Sequence, residues 1–205
     1  RREPVGRCLI LPGGGRAQYQ LYAPCMTRAW GYHRQGSCQA GFSATLTKSG
    51  TQLYVGAVGS WYWQGQVFQQ NLLNRQDLSS TLEGPPSHDM TYLGYSAASG
   101  YLGGKRSTSP GEYPPTGEGA PGEDIVVGRP RGGDLRGQIQ IFDESLTLLG
   151  NITGDQLGSY FGYSVAVADL NGDGLDDLIV GAPWYTGRDS SYDKSDGDNK
   201  GDEGN

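Results

Sequence analysis

The 205-residue chain lacks the marks of several large protein classes. It contains no apolar run of about 18 residues, the length that a membrane-spanning helix needs. No three-turn stretch repeats apolar residues at positions i, i+3 and i+4, so we expect little helix. The 35 glycines follow no G-X-Y period, which excludes collagen. Neither of the two histidines stands in a triad-like setting, so the sequence shows no catalytic constellation.

An excess of positive charge is also missing. The chain carries 16 basic and 22 acidic residues, a net charge of −6. The arginines of the first 34 residues are scattered among glycine and tyrosine rather than clustered on one face. Because an acidic chain without a basic patch binds polyphosphates poorly, we expect no nucleic-acid partner.

Glycine and aromatic residues are abundant together. Glycine makes up 35 of 205 residues, whereas an average protein has about 7%. Glycine-rich chains are often disordered, but disordered segments avoid aromatics, and this chain has 13 tyrosines and 4 tryptophans. An all-β fold of many short strands joined by glycine turns satisfies both observations.

Three cysteines and one sequon point to an oxidising compartment. Cys25 and Cys38 lie 13 residues apart with no CxxC pair nearby, which favours a disulfide over a zinc site. Cys8 is left over, and a partner outside the chain explains it better than a reactive thiol. The sequon that begins at Asn151 predicts glycosylation there and agrees with secretion.

The chain starts without an initiator methionine or signal-like segment and stops inside a polar stretch. These features predict a piece of a longer protein. We expect any export signal and membrane anchor to lie outside the sequence given.

One structural unit occurs three times. Each copy opens with a glycine beside an aromatic and a serine, and ends in an apolar strand with a closing glycine. The opening motifs are GFSA (41–44), LGYS (93–96) and FGYS (161–164), and the closing glycines are Gly56, Gly128 and Gly181. Further strands are predicted at 61–68 and 137–142, and residues 105–123 form a Pro/Gly/Glu insertion that predicts a surface loop. About four short strands per unit predict β-propeller blades, and no Trp-Asp pair supports the WD40 type.

The segment 169–177, DLNGDGLDD, has the spacing of a calcium loop. Alternate oxygens of a tightly turning loop suit Ca²⁺, and the predicted ligands are Asp169, Asn171, Asp173, Asp177 and the carbonyl of Leu175. An EF-hand is disfavoured because position 12 is Val180 and the flanks resemble strands. A metal-free acidic turn is the alternative, but carboxylates this close would repel one another. The second copy keeps only Asp124 of this set, so one structural site is expected.

The motifs of 161–183 resemble the FG-GAP repeat of integrin α-subunit propellers. Four further segments are similar to successive parts of α subunits without an inserted I domain, and most similar to the RGD-recognising subgroup. These segments are EPVGRC (3–8), YAPC (22–25), CQAGFS (38–43) and YWQGQ (62–66).

This resemblance implies a seven-bladed β-propeller with four short antiparallel strands per blade. Residues 1–39 would hold the end of blade 2 and the disulfide loop, 40–92 blade 3, 93–160 blade 4 with its insertion, and 161–205 the start of blade 5. It also supports the pair Cys25–Cys38, and it implies that Cys8 bonds to a cysteine upstream of the chain. The calcium loop usual in blade 4 of this family is absent here.

The resemblance implies an extracellular adhesion receptor, anchored in the cell membrane as a single-pass type I protein. Such an α subunit pairs with a β subunit, and the two bind matrix ligands at their seam. In RGD-binding members an aspartate just before the blade 4 motif takes the ligand arginine, and Asp89 stands at that place. Tyr62 matches an aromatic that lines the same pocket, with Trp61 beside it. Plain propeller packing for both aromatics, and an exposed loop role for Asp89, are the alternatives.

Two other functions compete with adhesion. FG-GAP blades also serve as the scaffold of secreted enzymes such as phospholipases, and a bare calcium-binding structural repeat is a third interpretation. An enzyme should show a catalytic constellation, and this chain shows none. We therefore expect a receptor subunit and no enzyme.

Overall fold

A computed structural model describes residues 2–11, 19–103 and 122–187. It contains twelve strands, which pair only antiparallel: β1 Cys8–Ile10, β2 Gln20–Tyr22, β3 Ala40–Leu46, β4 Gln52–Ala57, β5 Gln66–Asn71, β6 Leu78–Ser80, β7 Ala97–Gly100, β8 Asp124–Arg129, β9 Gln138–Phe142, β10 Leu148–Thr153, β11 Ser164–Ala168 and β12 Asp177–Gly181. The remaining elements are short: α1 Ser60–Trp63 and α2 Gly132–Leu135, which both contain residues with left-handed φ values, and a 3₁₀ turn at Pro86–His88. The predicted all-β fold is confirmed.

The strands form two complete sheets and two strand pairs. The first sheet has the order β3-β4-β5-β6 and the second has the order β7-β8-β9-β10, while β1 pairs with β2 and β11 with β12. The central strands β4 and β8 are buried along almost their whole length. They contain runs of apolar residues instead of a strict alternation because neighbouring sheets cover both of their faces.

Two buried clusters flank strand β4. Leu53 and Val55 lie in the cluster that also holds both disulfide cysteines. Tyr54 points to the opposite face and packs with residues of the second sheet, among them Ile125. Successive side chains of a strand point to opposite faces, so this one strand joins the cores of two neighbouring blades.

Glycines make the junctions between successive units. Isolated parallel bridges join Gly6 to Ala40, Gly65 to Leu93 and Gly137 to Phe161. The three bridging glycines have φ values of 73°, 85° and 85°. A Cβ on any of them would overlap backbone atoms of its bridge partner. Only glycine permits both the conformation and the close approach.

The recurring Gly-aromatic-Ser motif fastens one unit to the next. The hydroxyl of Ser43 donates to the carbonyl oxygen of Gly94 at 2.7 Å. One unit later, the hydroxyl of Ser96 donates to the carbonyl oxygen of Gly162 at 2.8 Å. We call this serine-to-carbonyl hydrogen bond the latch, because it joins the opening motifs of two neighbouring blades.

Two local predictions differ from the structure. Strand β5 begins at Gln66, because Trp61, Tyr62 and Trp63 have φ values of 52°, 56° and 60° and form a left-handed turn instead of a strand. Residues 105–121 of the insertion lie outside the described part. Its last residue, Glu123, is buried, although the sequence suggested a surface loop.

The predicted disulfide is confirmed. Cys25 and Cys38 are bonded, with their Cα atoms 6.3 Å apart, and both are buried in the first core cluster. Cys8 is a half-buried free thiol in the structure, and burial raises its pKa. Among the described residues, no helix has the length and apolar character needed to cross a bilayer.

Candidate functional site

The acidic loop between β11 and β12 folds around Asp169. Gly172 donates its N–H to Asp169 Oδ1 at 2.7 Å, and Gly174 donates to Asp169 Oδ2 at 3.1 Å. Both glycines have left-handed φ values, 76° and 86°. The loop turns back sharply enough for its own N–H groups to reach the carboxylate with which it starts.

The other predicted ligands also accept backbone N–H groups of the loop. Asn171 Oδ1 accepts from Asp173 N, and Asp173 Oδ1 accepts from Leu175 N, each at 2.8 Å. Leu170 N donates to Asp177 Oδ2 at 2.9 Å, which ties the two ends together. Each carboxylate oxygen can accept more than one contact, so these hydrogen bonds leave capacity for a cation.

The chemistry of this donor set fits Ca²⁺. Three carboxylates, one amide oxygen and one backbone carbonyl are hard ligands of the kind Ca²⁺ prefers. Within the described ranges, no three Asp, Glu, His or Cys side chains converge closely enough to hold a metal ion. The calcium site at Asp169, Asn171, Asp173, Leu175 and Asp177 therefore stays a prediction.

Asp89 lies in a segment that is held by hydrogen bonds to the side chain of Gln64. The segment follows the 3₁₀ turn, where Asp89 N donates to the carbonyl oxygen of Pro86 at 3.0 Å. The buried amide of Gln64 donates to Asp89 Oδ1 at 2.9 Å and accepts from Gly84 N at 2.9 Å. The carboxylate of Asp89 is half-buried, and the hydrogen bond from Gln64 holds it in place.

Tyr62 and Trp61 have different environments. Tyr62 is 48% exposed, and its carbonyl oxygen accepts from Met90 N at 3.0 Å, which places its segment beside that of Asp89. Trp61 is half-buried, with the guanidinium of Arg34 5.8 Å from its ring centre and a buried Nε1 that lacks a hydrogen-bond partner in the structure. These surroundings favour packing for Trp61 and accessibility for Tyr62.

A cleft of about 560 Å³ lies between the Asp89 segment and the second sheet. Its walls carry two acidic residues, Asp89 and Asp134, and two arginines, Arg129 and Arg131. Neither Tyr62 nor Trp61 is among the described residues that line it. The structure thus brings the segments of Asp89 and Tyr62 together by a backbone bond, while only Asp89 faces this cleft.

Comparison with known proteins shows a marked similarity to integrin α subunits. The FG-GAP repeat model matches residues 161–202. Integrin alpha-PS2 of Drosophila melanogaster is 39% identical over 96% of this chain and 15% of its own length. Integrin alpha-8 of Gallus gallus is 39% identical over 91% of the chain and 18% of its own length, and integrin alpha-5 of Xenopus laevis is 37% identical over 92% and 18%.

These matches support a fragment of an integrin α subunit. The repeat and the relatives identify the two sheets as blades of a β-propeller. Integrin α subunits are adhesion receptors, so the enzyme-scaffold alternative is set aside. The chain spans less than a fifth of the length of these relatives, so the ligands and partners of the whole integrin are proposals here.

A row of aromatic rings crosses this part of the integrin propeller, and the sequence prediction missed it. The rings of Phe42 and Tyr95 lie 4.7 Å apart, those of Tyr95 and Tyr163 lie 5.1 Å apart, and Trp184 packs 4.4 Å from Tyr160. Phe42, Tyr163 and Trp184 are more than 40% exposed. The sequence signal that could have predicted this row is the aromatic residue that follows each motif glycine. Equivalent positions of adjacent blades lie side by side, so these aromatic residues come into contact. Such a row can bury apolar surface or accept a cation on its ring faces.

A charged cluster near the acidic loop was also missed. The Lys48 ammonium contacts the buried carboxylate of Asp176 at 2.7 Å, and Tyr101 N donates to the same oxygen at 2.8 Å. The backbone N–H of Lys48 donates to Glu123 Oε1 at 2.6 Å. These contacts join three successive repeats, so the cluster holds the propeller together beside the predicted calcium loop.

Proposed function

We propose that this chain is part of the α subunit of a cell-adhesion receptor. The observation that carries the proposal is the similarity to integrin α subunits over more than nine-tenths of the chain. The α propeller would pair with an integrin β subunit and bind extracellular-matrix proteins. A single-pass type I anchor outside the sequence given would hold the receptor on the extracellular side of the cell membrane.

The proposed ligand class is RGD-containing protein. A carboxylate can take a guanidinium through two parallel hydrogen bonds, and Asp89 offers a carboxylate that Gln64 holds in place. The cleft beside it is large enough for a side chain of arginine size. Tyr62, exposed on the adjoining segment, would flank the ligand with an aromatic face, and Trp61 would support it by packing.

Calcium is the proposed structural cofactor. The loop of Asp169–Asp177 would hold the ion with oxygen ligands and so fix the turn between β11 and β12. Sites of extracellular modules bind Ca²⁺ at about 10⁻⁴–10⁻³ M, so the loop would be filled outside cells. The exposed Asn151, on β10, is the proposed glycan acceptor.

The test uses the complete αβ ectodomain. Asp89→Asn keeps the shape and an oxygen for the hydrogen bond from Gln64 but removes the charge. We expect binding to an immobilised RGD peptide to fall about tenfold or more, because a charged hydrogen-bond pair is lost. Asp155→Asn is the matched control, since Asp155 is an exposed aspartate away from the cleft.

Unchanged binding of the Asp89→Asn ectodomain would remove Asp89 from the ligand pocket. The family membership would stand, and recognition of the matrix would have to reside elsewhere in the heterodimer.

A further inference from the structure

Arg129 is an arginine at a position where the neighbouring repeats carry alanine. It pairs with Gln138 in the second sheet just as Ala57 pairs with Gln66 in the first. In the third repeat the residue after the closing glycine is Ala182. The backbone position is therefore common to the repeats, and only the second repeat places a charge there.

The guanidinium of Arg129 is buried, and no described residue forms an ion pair with it. The residue is 6% exposed. Its Nε donates to Thr91 Oγ1 at 2.8 Å, and Nη1 donates to Gln138 Oε1 at 3.4 Å. In the part of the chain that the structure describes, no carboxylate forms an ion pair with it. A guanidinium has five N–H donors, so several remain for a ligand.

Burial of an unpaired charge is costly, and a side chain that only filled space would not need one. Burial also lowers the pKa of Arg129, because removal of the charge from water disfavours the protonated form. The guanidinium nevertheless stays protonated, so the buried charge is retained. Alanine at the equivalent position of the first sheet is buried just as completely. The blade architecture therefore does not require a cation here.

Arg129 lines the same cleft as Asp89. Its hydrogen-bond partner Thr91 stands two residues after Asp89, and Cα atoms two residues apart are at most about 7 Å apart. Arg131 also lines the cleft, with its guanidinium 5.2 Å from the ring centre of Tyr92. The walls therefore offer an acidic and a basic contact within the reach of neighbouring ligand residues.

The other titratable groups of the cleft fit this arrangement. His88 also lines the cleft, and burial, together with the charge of Arg129, lowers its pKa, while the charge of Asp89 acts in the opposite direction. Asp134 is exposed on the rim. The cleft thus combines charges of both signs, which suits a ligand that carries both.

We propose that Arg129 forms an anion subsite that takes an acidic side chain of the peptide ligand, next to the basic side chain taken by Asp89. This subsite deepens the proposed function and rests on it for the nature of the ligand. The occupant is a glutamate or aspartate close in sequence to the ligand arginine. Arg129 would supply two parallel N–H donors, the arrangement that matches a carboxylate.

The test measures a preference and not only an affinity. Pairs of RGD peptides differ by glutamate or glutamine at one flanking position, and each flank is tried in turn. For the wild-type αβ ectodomain we expect the glutamate peptide to bind about tenfold tighter at one position or more, because a charged hydrogen bond to a buried group is gained. Arg129→Ala, the residue of the neighbouring repeats, should remove this preference.

Two further variants complete the design. Arg129→Lys keeps a point charge without the planar fork and should retain part of the preference. Arg136→Ala removes an exposed arginine that does not line the cleft and should leave the preference intact.

The outcomes distinguish failure of the anion subsite at Arg129 from failure of the arginine pocket at Asp89. Absence of any glutamate preference in the wild type overturns the subsite without the need for a variant. An unchanged preference in Arg129→Ala also overturns it. If Asp89→Asn leaves RGD binding intact while Arg129→Ala abolishes the preference, the proposed arginine pocket fails and the anion subsite stands.

Discussion

The hydroxyl of Ser43 and the carbonyl oxygen of Gly94 lie 2.7 Å apart and form a hydrogen bond across 51 positions of sequence. The bond joins the opening motif of one blade to that of the next, and Ser96 repeats it toward Gly162. Both acceptor glycines are buried, so water could not replace the serine hydroxyls as hydrogen-bond donors to their carbonyl oxygens.

Removal of the motif hydroxyls should loosen the propeller. Ser43→Ala and Ser96→Ala each leave a buried carbonyl without this donor, at a cost of about 1 to 2 kcal/mol. We expect a lower midpoint of thermal unfolding for the purified αβ ectodomain, with the double variant below either single one. Ser87→Ala, at an exposed serine of the 3₁₀ turn, is the control. Equal midpoints for all variants would show that the latch contributes nothing.

The bridging glycines should tolerate no side chain. Gly65→Ala and Gly137→Ala each place a Cβ on the backbone of the next repeat, in a left-handed conformation that disfavours alanine. We expect a loss of about 3 kcal/mol or more, since the backbones must move apart. The measurement is the amount of heterodimer on the surface of transfected cells. Gly150→Ala has open space around it and should behave as wild type.

The buried Glu123 should make stability depend on pH. Burial raises the pKa of its carboxyl above the ordinary value, so the folded state holds a proton more tightly than the unfolded state. The contribution of Glu123 to stability is then largest at low pH, and it is lost as pH rises through the window between the ordinary and the raised pKa. Glu123→Gln keeps an oxygen that can accept from Lys48 N and should remove this loss.

The check is the midpoint of thermal unfolding of the ectodomain from about pH 8 to about pH 5, with calcium constant. At neutral pH the Glu123→Gln variant should match or exceed the wild type. A variant that is clearly less stable at neutral pH would show that the charge of Glu123, close to Lys48, is needed.

Calcium should stabilise the ectodomain through the loop of residues 169–177. Addition of a chelator removes the ion, and the midpoint of unfolding should fall in proportion to the binding free energy at the calcium concentration used. Asp173→Ala removes a predicted ligand and should reduce the effect of the chelator, whereas Asp155→Ala should not. A chelator effect of the same size in both variants would argue against this ligand set.

Much of the fold could be predicted because the repeated motif has one physical purpose. A glycine that permits close approach and a serine that donates to the next repeat recur together, so the motif alone indicates stacked blades. The disulfide of Cys25 and Cys38 followed from spacing and the absence of a zinc motif. These features depend on residue types at fixed local separations, which a sequence displays directly.

Other features depend on contacts that no local pattern displays. The aromatic segment at 61–63 suggested a strand, yet its N–H groups bond to the carbonyl oxygens of Tyr32 and Arg34 and hold it in a left-handed turn. Nothing near Arg129 in the sequence indicates that its side chain would be buried beside the Asp89 segment. Both outcomes are decided by residues more than 25 positions away.

The latch between blades also imposes an order on biosynthesis. A ribosome releases the chain from its N-terminus, so Ser43 emerges well before Gly94, and Ser96 emerges 66 residues before Gly162. Each blade waits, with its outer face uncovered, until the following repeat has left the exit tunnel. The nascent propeller thus carries one uncovered sheet face, and the position of that face moves along the chain as each following repeat emerges.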